Sequence, residues 1–151
     1  QAQQAKLYIA GDGTKQDYKR LTALIKQHHL ENQVTLLGQT ANIMTWMQAC
    51  DIFLQPSREE GFGLVFIEAG LCHKPTLATE IGGIPDIIVN NETGYLVEAN
   101  HPEQIAQKLA FLIANPKQAQ TFGYNAHKRT LKHFLLSEQT KKLEQVYREV
   151  M

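Results

Sequence analysis

Short apolar runs that end at a glycine or a proline alternate with amphipathic segments along the whole chain. Such short runs predict strands, and apolar residues three or four positions apart predict helices. Strands are expected at 7–10, 34–38, 51–56, 75–79 and 93–97, and helices at 18–28, 43–50, 64–72, 102–113, 117–135 and 137–151. Apolar strands separated by helices are typical of a parallel sheet covered on both faces. The sequence therefore predicts an α/β, Rossmann-like single domain over 1–151.

The amino-acid composition argues against a nucleic-acid binder and against a metal site. Lys plus Arg and Asp plus Glu number 15 each, so the basic excess typical of nucleic-acid binders is absent and no nucleic-acid partner is expected. Cys50 and Cys72 lie in apolar segments without metal-ligand spacing, which favours reduced thiols, no metal and a cytoplasmic protein. The N-terminus has neither an initiator Met nor a signal-peptide layout, so we expect a fragment of a longer protein.

Function is expected in the loops that follow the strands, because parallel sheets bind ligands at the carboxyl ends of their strands. The Gly-Asp-Gly turn at 11–13 lacks the third glycine of a dinucleotide fingerprint, since position 16 is Gln, and it is better interpreted as a tight turn. The loop Ser-Arg-Glu-Glu-Gly-Phe-Gly-Leu at 57–64 leads from a strand directly into a helix. Its glycines allow close approach of the main chain, and its last amides would be free donors at a helix N-terminus, which attracts anions.

Two acidic residues flank this expected anion site. Glu68 lies about one helical turn beyond the loop, so its carboxylate can face the same cleft as Glu60. Carboxylates accept hydrogen bonds from sugar hydroxyls, which suits a ligand that carries both a diphosphate and sugars. A second glycine pair, Gly82-Gly83, follows the next strand and should lie opposite the first loop. The alternative is that Glu59 and Glu60 form a solvated loop and Glu68 a helix surface.

These residues belong to a longer series of motifs. Glu60 and Glu68 form Glu-x7-Glu within Pro-Ser-Arg-Glu-Glu-Gly-Phe-Gly-Leu at 56–64 and Glu-Ala at 68–69, followed by Pro75, Ala-Thr at 78–79, Gly-Gly-Ile-Pro at 82–85 and Thr-Gly at 93–94. Gly-Asp-Gly at 11–13, Val-Thr-Leu-Leu-Gly at 34–38 and Ala-Cys-Asp at 49–51 come first. In this order the motifs resemble the C-terminal domain of the retaining GT-B glycosyltransferases of family 4.

The resemblance implies a role for each matching position. Glu60 would be the catalytic, donor-positioning residue that holds hydroxyls of the transferred sugar, and Glu68 would accept from the ribose hydroxyls. The donor-binding set is completed by the main chain of Gly61, Phe62, Gly63 and Leu64 around the diphosphate, by Gly82 and Gly83 on the neighbouring wall, and by Gly38 and Gln39 near the base.

The resemblance also implies the reaction. The family transfers a hexosyl group from a nucleotide-diphospho-sugar, such as a UDP- or GDP-sugar, with retention and without a metal or another cofactor. The acceptor, a saccharide or a lipid-linked glycan, would bind the N-terminal domain, so this chain alone is expected to be inactive. The full-length enzyme would be cytoplasmic or membrane-peripheral. A nucleotide-sugar epimerase and a non-catalytic nucleotide-binding module remain the alternatives.

The sequence departs from the family pattern in three places. The helix after Glu68 has Gly70 where Met is common and His73 where glycine is usual, which predicts altered packing and a left-handed His73. The family's first strand, with its diphosphate-binding Arg and Lys, would precede Lys6 and is missing. Its absence would expose sheet edges and favour a homodimer. The last helix, with Leu143 and Val150 on its apolar face, either crosses to the N-terminal domain or packs on its own.

Overall fold

The structure is a computed structural model that describes residues 5–150, the side chain of Lys142 excepted. All its strand pairs are parallel, which confirms the predicted α/β class. Across this described range, no helix combines the length and apolarity needed to cross a membrane. The elements are β1 (Leu7–Ala10), α1 (Lys15–Gln27), β2 (Val34–Gly38), α2 (Ile43–Ala49), β3 (Phe53–Gln55), α3 (Leu64–Leu71), β4 (Thr76–Thr79), α4 (Ile84–Ile87), β5 (Gly94–Val97), α5 (Pro102–Ala114), α6 (Pro116–His133) and α7 (Leu136–Val150).

The chain divides into two compact units, Gln1–Thr45 and Trp46–Met151. In the first unit, β1 and β2 form a two-stranded parallel sheet. Helix α1 begins after Thr14, whose side chain accepts from the amide of Asp17 while the Asp17 carboxylate accepts from the Thr14 amide. This reciprocal pair satisfies amides that a helix start leaves without partners. Helix α1 ends at Gln27, one residue before the predicted end at 28, and His28 is its C-terminal cap.

The second unit is a three-stranded parallel sheet in the order β3, β4, β5, with helices on both faces. Because side chains alternate along a strand, neighbouring residues of β4 enter different cores. Leu77 packs in one core with residues of α5 and α6, and Ala78 packs in the other with residues of α3 and α4. The first core consists of Leu77, Tyr95, Val97, Leu112 and Phe122, and the second of Phe66, Ala78, Ile84, Ile87, Ile88 and Leu96.

Two local predictions are wrong. No helix is predicted between the strands at 75–79 and 93–97, but Ile84–Ile87 forms a short helix, because Ile84 and Ile87 are buried in the second core and Pro85 is compatible with a first helical turn. The last helix is predicted to begin at Ser137, but α7 already begins at Leu136, so Ser137 lies inside the helix and is not its N-terminal cap. Residue 151, at the predicted end of that helix, lies outside the described residues.

The unusual residues of α3 are explained by its contact with α6. A Cβ at position 70 would lie 2.2 Å from the hydroxyl of Thr130, so only glycine allows this close approach of the two helices. His73 follows α3 with φ of 56°, which confirms the left-handed conformation predicted for it. Its ring stacks on the ring of His127, with 3.7 Å between the centroids. The altered packing predicted from the sequence therefore lies along the α3–α6 contact.

The stacked histidines predict a dependence of stability on pH. Desolvation, with His127 and Lys74 nearby, lowers the pKa of His73. The folded chain therefore binds fewer protons than the unfolded chain between this lowered pKa and the ordinary value of ~6.5, so the free energy of unfolding falls as pH falls through that window. The test variant is His73→Gly, because glycine keeps the left-handed backbone. When the pH is lowered from 7.5 to 5.0, we expect the thermal midpoint of unfolding to fall less in this variant than in the unaltered chain. The two pH values bracket the ordinary histidine pKa of ~6.5.

The control for this comparison is His29→Gly. His29 also has a left-handed backbone, with φ of 54°, so the substitution relieves the same strain. None of the ring contacts seen among residues 5–150 stacks another histidine on His29. Equal acid sensitivity of the His73→Gly and His29→Gly variants would contradict the assignment to His73.

Candidate functional site

The loop between β3 and α3 turns through Gly63, the residue before the first helical position. Gly63 has φ of 87° and ψ of 60°, a left-handed conformation that residues with a side chain rarely adopt. A Cβ at this position would also lie 2.5 Å from the Phe66 ring. Conformation and space both require glycine here, and together they direct the main chain of the preceding loop across the start of α3.

The start of α3 offers several free amide donors. The amide of Phe66 donates to the carbonyl of Gly63 at 3.0 Å. Among the described residues, by contrast, no group accepts a hydrogen bond from the amides of Phe62, Gly63 or Leu64. Free amides at a helix N-terminus, together with the positive end of the helix dipole, form an anion-binding arrangement. The free donors expected from the sequence are therefore present in this loop.

The second glycine loop, after β4, lies directly against the first. Gly82 has φ of 52°, and a Cβ on it would lie 1.9 Å from the carbonyl oxygen of Glu60. The amide of Gly83 donates to the carbonyl of Gly61 at 2.9 Å. The two loops thus meet main chain to main chain. The Gly83 amide is used in this contact, so Gly83 lines the site as backbone and is not one of its free donors.

The two acidic residues lie at different places relative to α3, Glu60 in the loop before the helix and Glu68 within it. The Cγ of Glu60 lies 3.5 Å from where a Cβ on Gly63 would stand, so the Glu60 side chain extends over the helix start. Glu68 is half-buried and lies one turn beyond Leu64 on the same helix face, since residues four apart share a face. This is not the face that buries Phe66 in the core, and Leu64 is 68% exposed.

Thr79 is a contributor to this loop that the sequence analysis missed. Its hydroxyl donates to the carbonyl of Ser57 at 2.7 Å, and the residue is only 2% exposed. The bond fixes the first loop to the end of β4, at the point where the loop leaves β3. Nothing in the sequence distinguishes a threonine with this role from one that only fills a strand position, so only the tertiary contact identifies it.

The two residues predicted near the base lie in the first unit. Gly38 has φ of 66°, and its carbonyl accepts from the amide of Gly11 at 2.9 Å. Gln39 follows it and is exposed. Their role stays a prediction. Over residues 5–150, no group of three or more His, Cys, Asp or Glu side chains is placed to hold a metal ion.

Comparison with known proteins identifies the family. Residues 1–129 match the family described as glycosyl transferases group 1. The chain belongs to the glycosyl transferases group 1 family. Its relatives include N-acetyl-alpha-D-glucosaminyl L-malate synthase of Bacillus anthracis, which is 31% identical over 147 residues, or 97% of this chain and 38% of that protein. Lipopolysaccharide core biosynthesis mannosyltransferase LpcC of Rhizobium leguminosarum bv. viciae is 30% identical over 132 residues, or 87% of this chain and 38% of that protein.

Solved glycosyl transferase structures share the fold. HepE from Anabaena, solved in complex with UDP, has a TM-score of 0.90 and 29% identity over 97% of this chain and 41% of its own. The solved C-terminal domain of a glycosyl transferase group 1 family protein (LpcC) from Francisella tularensis has a TM-score of 0.81 and 34% identity over 87% of this chain and 70% of its own. The chain thus has the Rossmann-like fold of a GT-B C-terminal domain, and it spans 38% of the two curated relatives.

The contact between the loops predicts that Gly82 cannot be replaced. In Gly82→Ala, the added Cβ meets the Glu60 carbonyl at a left-handed backbone position, so we expect the free energy of unfolding to fall by about 1–3 kcal/mol, the usual range for overpacking. Gly61→Ala is the matched control, because a Cβ there meets nothing within 4 Å and its backbone is not left-handed. Urea unfolding curves of the two variants measure the difference, and equal losses would mean that the loops separate easily.

Proposed function

We propose that this chain is the donor-binding domain of a retaining, metal-independent glycosyltransferase that transfers a hexosyl group from a nucleotide-diphospho-sugar. The observation that carries the proposal is the contact between the two glycine loops at the start of α3, beside three free amides. The HepE relative was solved in complex with UDP, a nucleoside diphosphate, which is the class of ligand proposed here.

The free amides suit a diphosphate for an electrostatic reason. When the bond between the sugar and the diphosphate breaks, negative charge grows on the nucleoside diphosphate that leaves. Amide dipoles that are fixed before the reaction stabilise this charge without reorganising. The amides of Phe62, Gly63 and Leu64 have no partner among the described residues, so they remain available to a ligand. Gly63 holds them in place because its conformation determines how the loop enters α3.

The two carboxylates are assigned different parts of the donor. Glu60 extends over the start of α3, next to the amides, so it would accept from hydroxyls of the sugar bound to the diphosphate. Glu68 lies one turn further along the same exposed helix face as Leu64, which suits acceptance from the ribose hydroxyls. In this arrangement Glu60 positions the donor and is not a nucleophile.

The proposal extends to the rest of the enzyme. The acceptor, a saccharide or a lipid-linked glycan, would bind an N-terminal domain, and the active enzyme would work in the cytoplasm or at the membrane surface. Gly38 and Gln39 are proposed to lie beside the base of the nucleotide. Each of these statements rests on the family pattern of two-domain enzymes.

Replacing each of the two acidic residues is expected to affect the binding of nucleotides and of nucleotide-sugars differently. Glu68→Ala should weaken the binding of UDP, GDP and their sugar conjugates alike, by roughly 1–3 kcal/mol, because a hydrogen bond to a charged acceptor is lost. Glu60→Ala should weaken the sugar conjugates and leave UDP and GDP unchanged, because Glu60 contacts only the sugar. Calorimetric titration of the chain with the four ligands measures both effects.

The control for both variants is Glu59→Ala. Glu59 is the exposed neighbour of Glu60, so this substitution changes the net charge equally without touching the proposed contacts. If Glu59→Ala weakens binding as much as Glu60→Ala does, the effect comes from long-range charge, and the assigned role of Glu60 is wrong. Binding of no nucleotide at all by the unaltered chain would refute the proposed function.

Metal independence gives a further prediction. Because the amides of the loop are proposed to stabilise the diphosphate directly, the dissociation constant for UDP or GDP should be the same in excess EDTA and in excess Mg²⁺. The same calorimetric titration in the two buffers measures this. A gain in affinity of about tenfold or more with Mg²⁺, equivalent to ~1.4 kcal/mol, would show that a metal bridges the diphosphate to the protein.

A further inference from the structure

The ring of Phe62, in the first glycine loop, contacts a residue that lies far away in the sequence. It meets the ring of Phe134 edge to face, with centroids 6.2 Å apart and an interplanar angle of 63°. Phe62 is 45% exposed, so the hydrophobic core does not fix it. Phe134 immediately follows α6 and packs against the core that α3 and α4 share. The contact therefore connects an exposed loop residue to a side chain that is anchored in the core.

Helix α6 makes a second connection, to the helix that follows the other glycine loop. The Nε of Arg129 donates to the carbonyl of Ile87 at 2.8 Å, and its Nη2 donates to the carbonyl of Asp86 at 2.6 Å. These carbonyls lie at the C-terminal end of α4, where a helix leaves acceptors without partners and where a cation is favoured. The guanidinium of Arg129 also lies 5.8 Å from the centre of the Phe134 ring.

These contacts connect both glycine loops to the C-terminal end of α6. Gly83 is the residue before the first turn of α4, and a Cβ on it would lie 3.4 Å from the Phe62 ring. Phe62 therefore packs between the Gly83 main chain and Phe134, while Arg129 joins Phe134 to the far end of α4. Each glycine loop is thus connected to the C-terminal end of α6 by its own side-chain contact, in addition to the direct contact between the loops.

We propose that Phe134 and Arg129 are positioning residues of the donor site, which hold the free amides of Phe62, Gly63 and Leu64 in their binding orientation. The inference rests on the proposed function, because it assigns these residues a part in binding the diphosphate. Neither residue touches the ligand in this arrangement. Phe134 acts through the ring of Phe62, and Arg129 acts through α4 and Phe134.

The physical reason is that the loop's contacts with β4 and with the second glycine loop hold residues 57–61, whereas its last residues have few contacts of their own. Phe62 and Leu64 are both exposed, and their amides have no partner within the described part of the chain. Loops with few buried contacts open at low free energy, so each additional contact reduces the alternatives to the bound conformation. Because a ligand binds only the fraction of molecules that is already competent, a contact that raises this fraction raises the apparent affinity in proportion.

Phe134→Leu is the test variant. It keeps an apolar side chain in the core but removes the edge of the ring. In the free chain, we expect the NMR amide resonances of Phe62, Gly63 and Leu64 to shift. We expect affinity for UDP and GDP to fall by about 2- to 10-fold, the factor expected from the loss of one aromatic pair. Phe134→Tyr, which retains the ring, should restore both.

The control is Phe111→Leu, which is chemically the same change. Phe111 is 45% exposed, and its ring also makes an edge-to-face contact, with Tyr95 at 6.1 Å, but Tyr95 belongs to the other core. A purely structural role of Phe134 predicts that both variants keep the nucleotide affinity of the unaltered chain, whatever thermal midpoint each of them loses. A positioning role predicts that only Phe134→Leu loses affinity.

Arg129→Gln provides an independent variant, which removes the two guanidinium hydrogen bonds to α4 and leaves Phe134 in place. We expect it to shift the Gly83 amide and to weaken both nucleotides. Unchanged loop resonances and affinity in Phe134→Leu and Arg129→Gln, with normal binding by the unaltered chain, overturn this inference and leave the proposed function standing. If the unaltered chain binds neither UDP nor GDP, the proposed function fails, and this inference fails with it.

Discussion

The site depends on one contact, the main-chain approach of the two glycine loops at Gly82 and Glu60. A side chain at position 82 would overlap the carbonyl oxygen of Glu60, so the approach exists only because the residue is glycine. The pairing of the strands brings the two loops together. Strands β3 and β4 pair in parallel, with Gln55 opposite Ala78, so the loops that leave them begin one strand spacing, ~4.8 Å, apart. Everything proposed for the start of α3 follows from this placement.

The start of α3 explains how an acidic loop can bind an anion. A carboxylate near a helix N-terminus is itself favoured by the helix dipole, so Glu60 is compatible with its position when no ligand is bound. The free amides of Phe62, Gly63 and Leu64 are main-chain groups and do not depend on side-chain charge. In the proposed donor site, one helix start would therefore bind the diphosphate through its amides and the sugar hydroxyls through the nearby carboxylate, without a cluster of basic side chains in the loop.

Helix α6 joins parts of the second unit that the sheet separates. Phe122, near its beginning, belongs to the core shared with α5, whereas Phe134, just beyond its end, packs against the core shared by α3 and α4. Between them, Thr130 lies so close to α3 that position 70 must be glycine. The unusual glycine in α3 and the contacts of Arg129 therefore have a common origin, the path of one long helix from one core of the second unit to the other.

The α/β class, the order of the strands and longer helices, and the glycine loops after β3 and β4 could be predicted from the amino-acid sequence. These features depend on the periodicity of apolar residues and on glycines whose backbone requirements are local, as at Gly63. His73 in its left-handed conformation was also predictable, because its position after a helix end fixes the backbone.

The remaining features of the fold could be identified only from the tertiary structure. Helix α4 has only four residues, too few for a periodic signal, and it forms because Ile84 and Ile87 are buried. The contacts of Thr79, Arg129 and Phe134 could not be predicted either, since their partners lie tens of residues away and no spacing rule connects them. The backbone conformation of a residue depends mainly on that residue and its neighbours in the sequence, whereas a contact between distant segments exists only once the chain has packed.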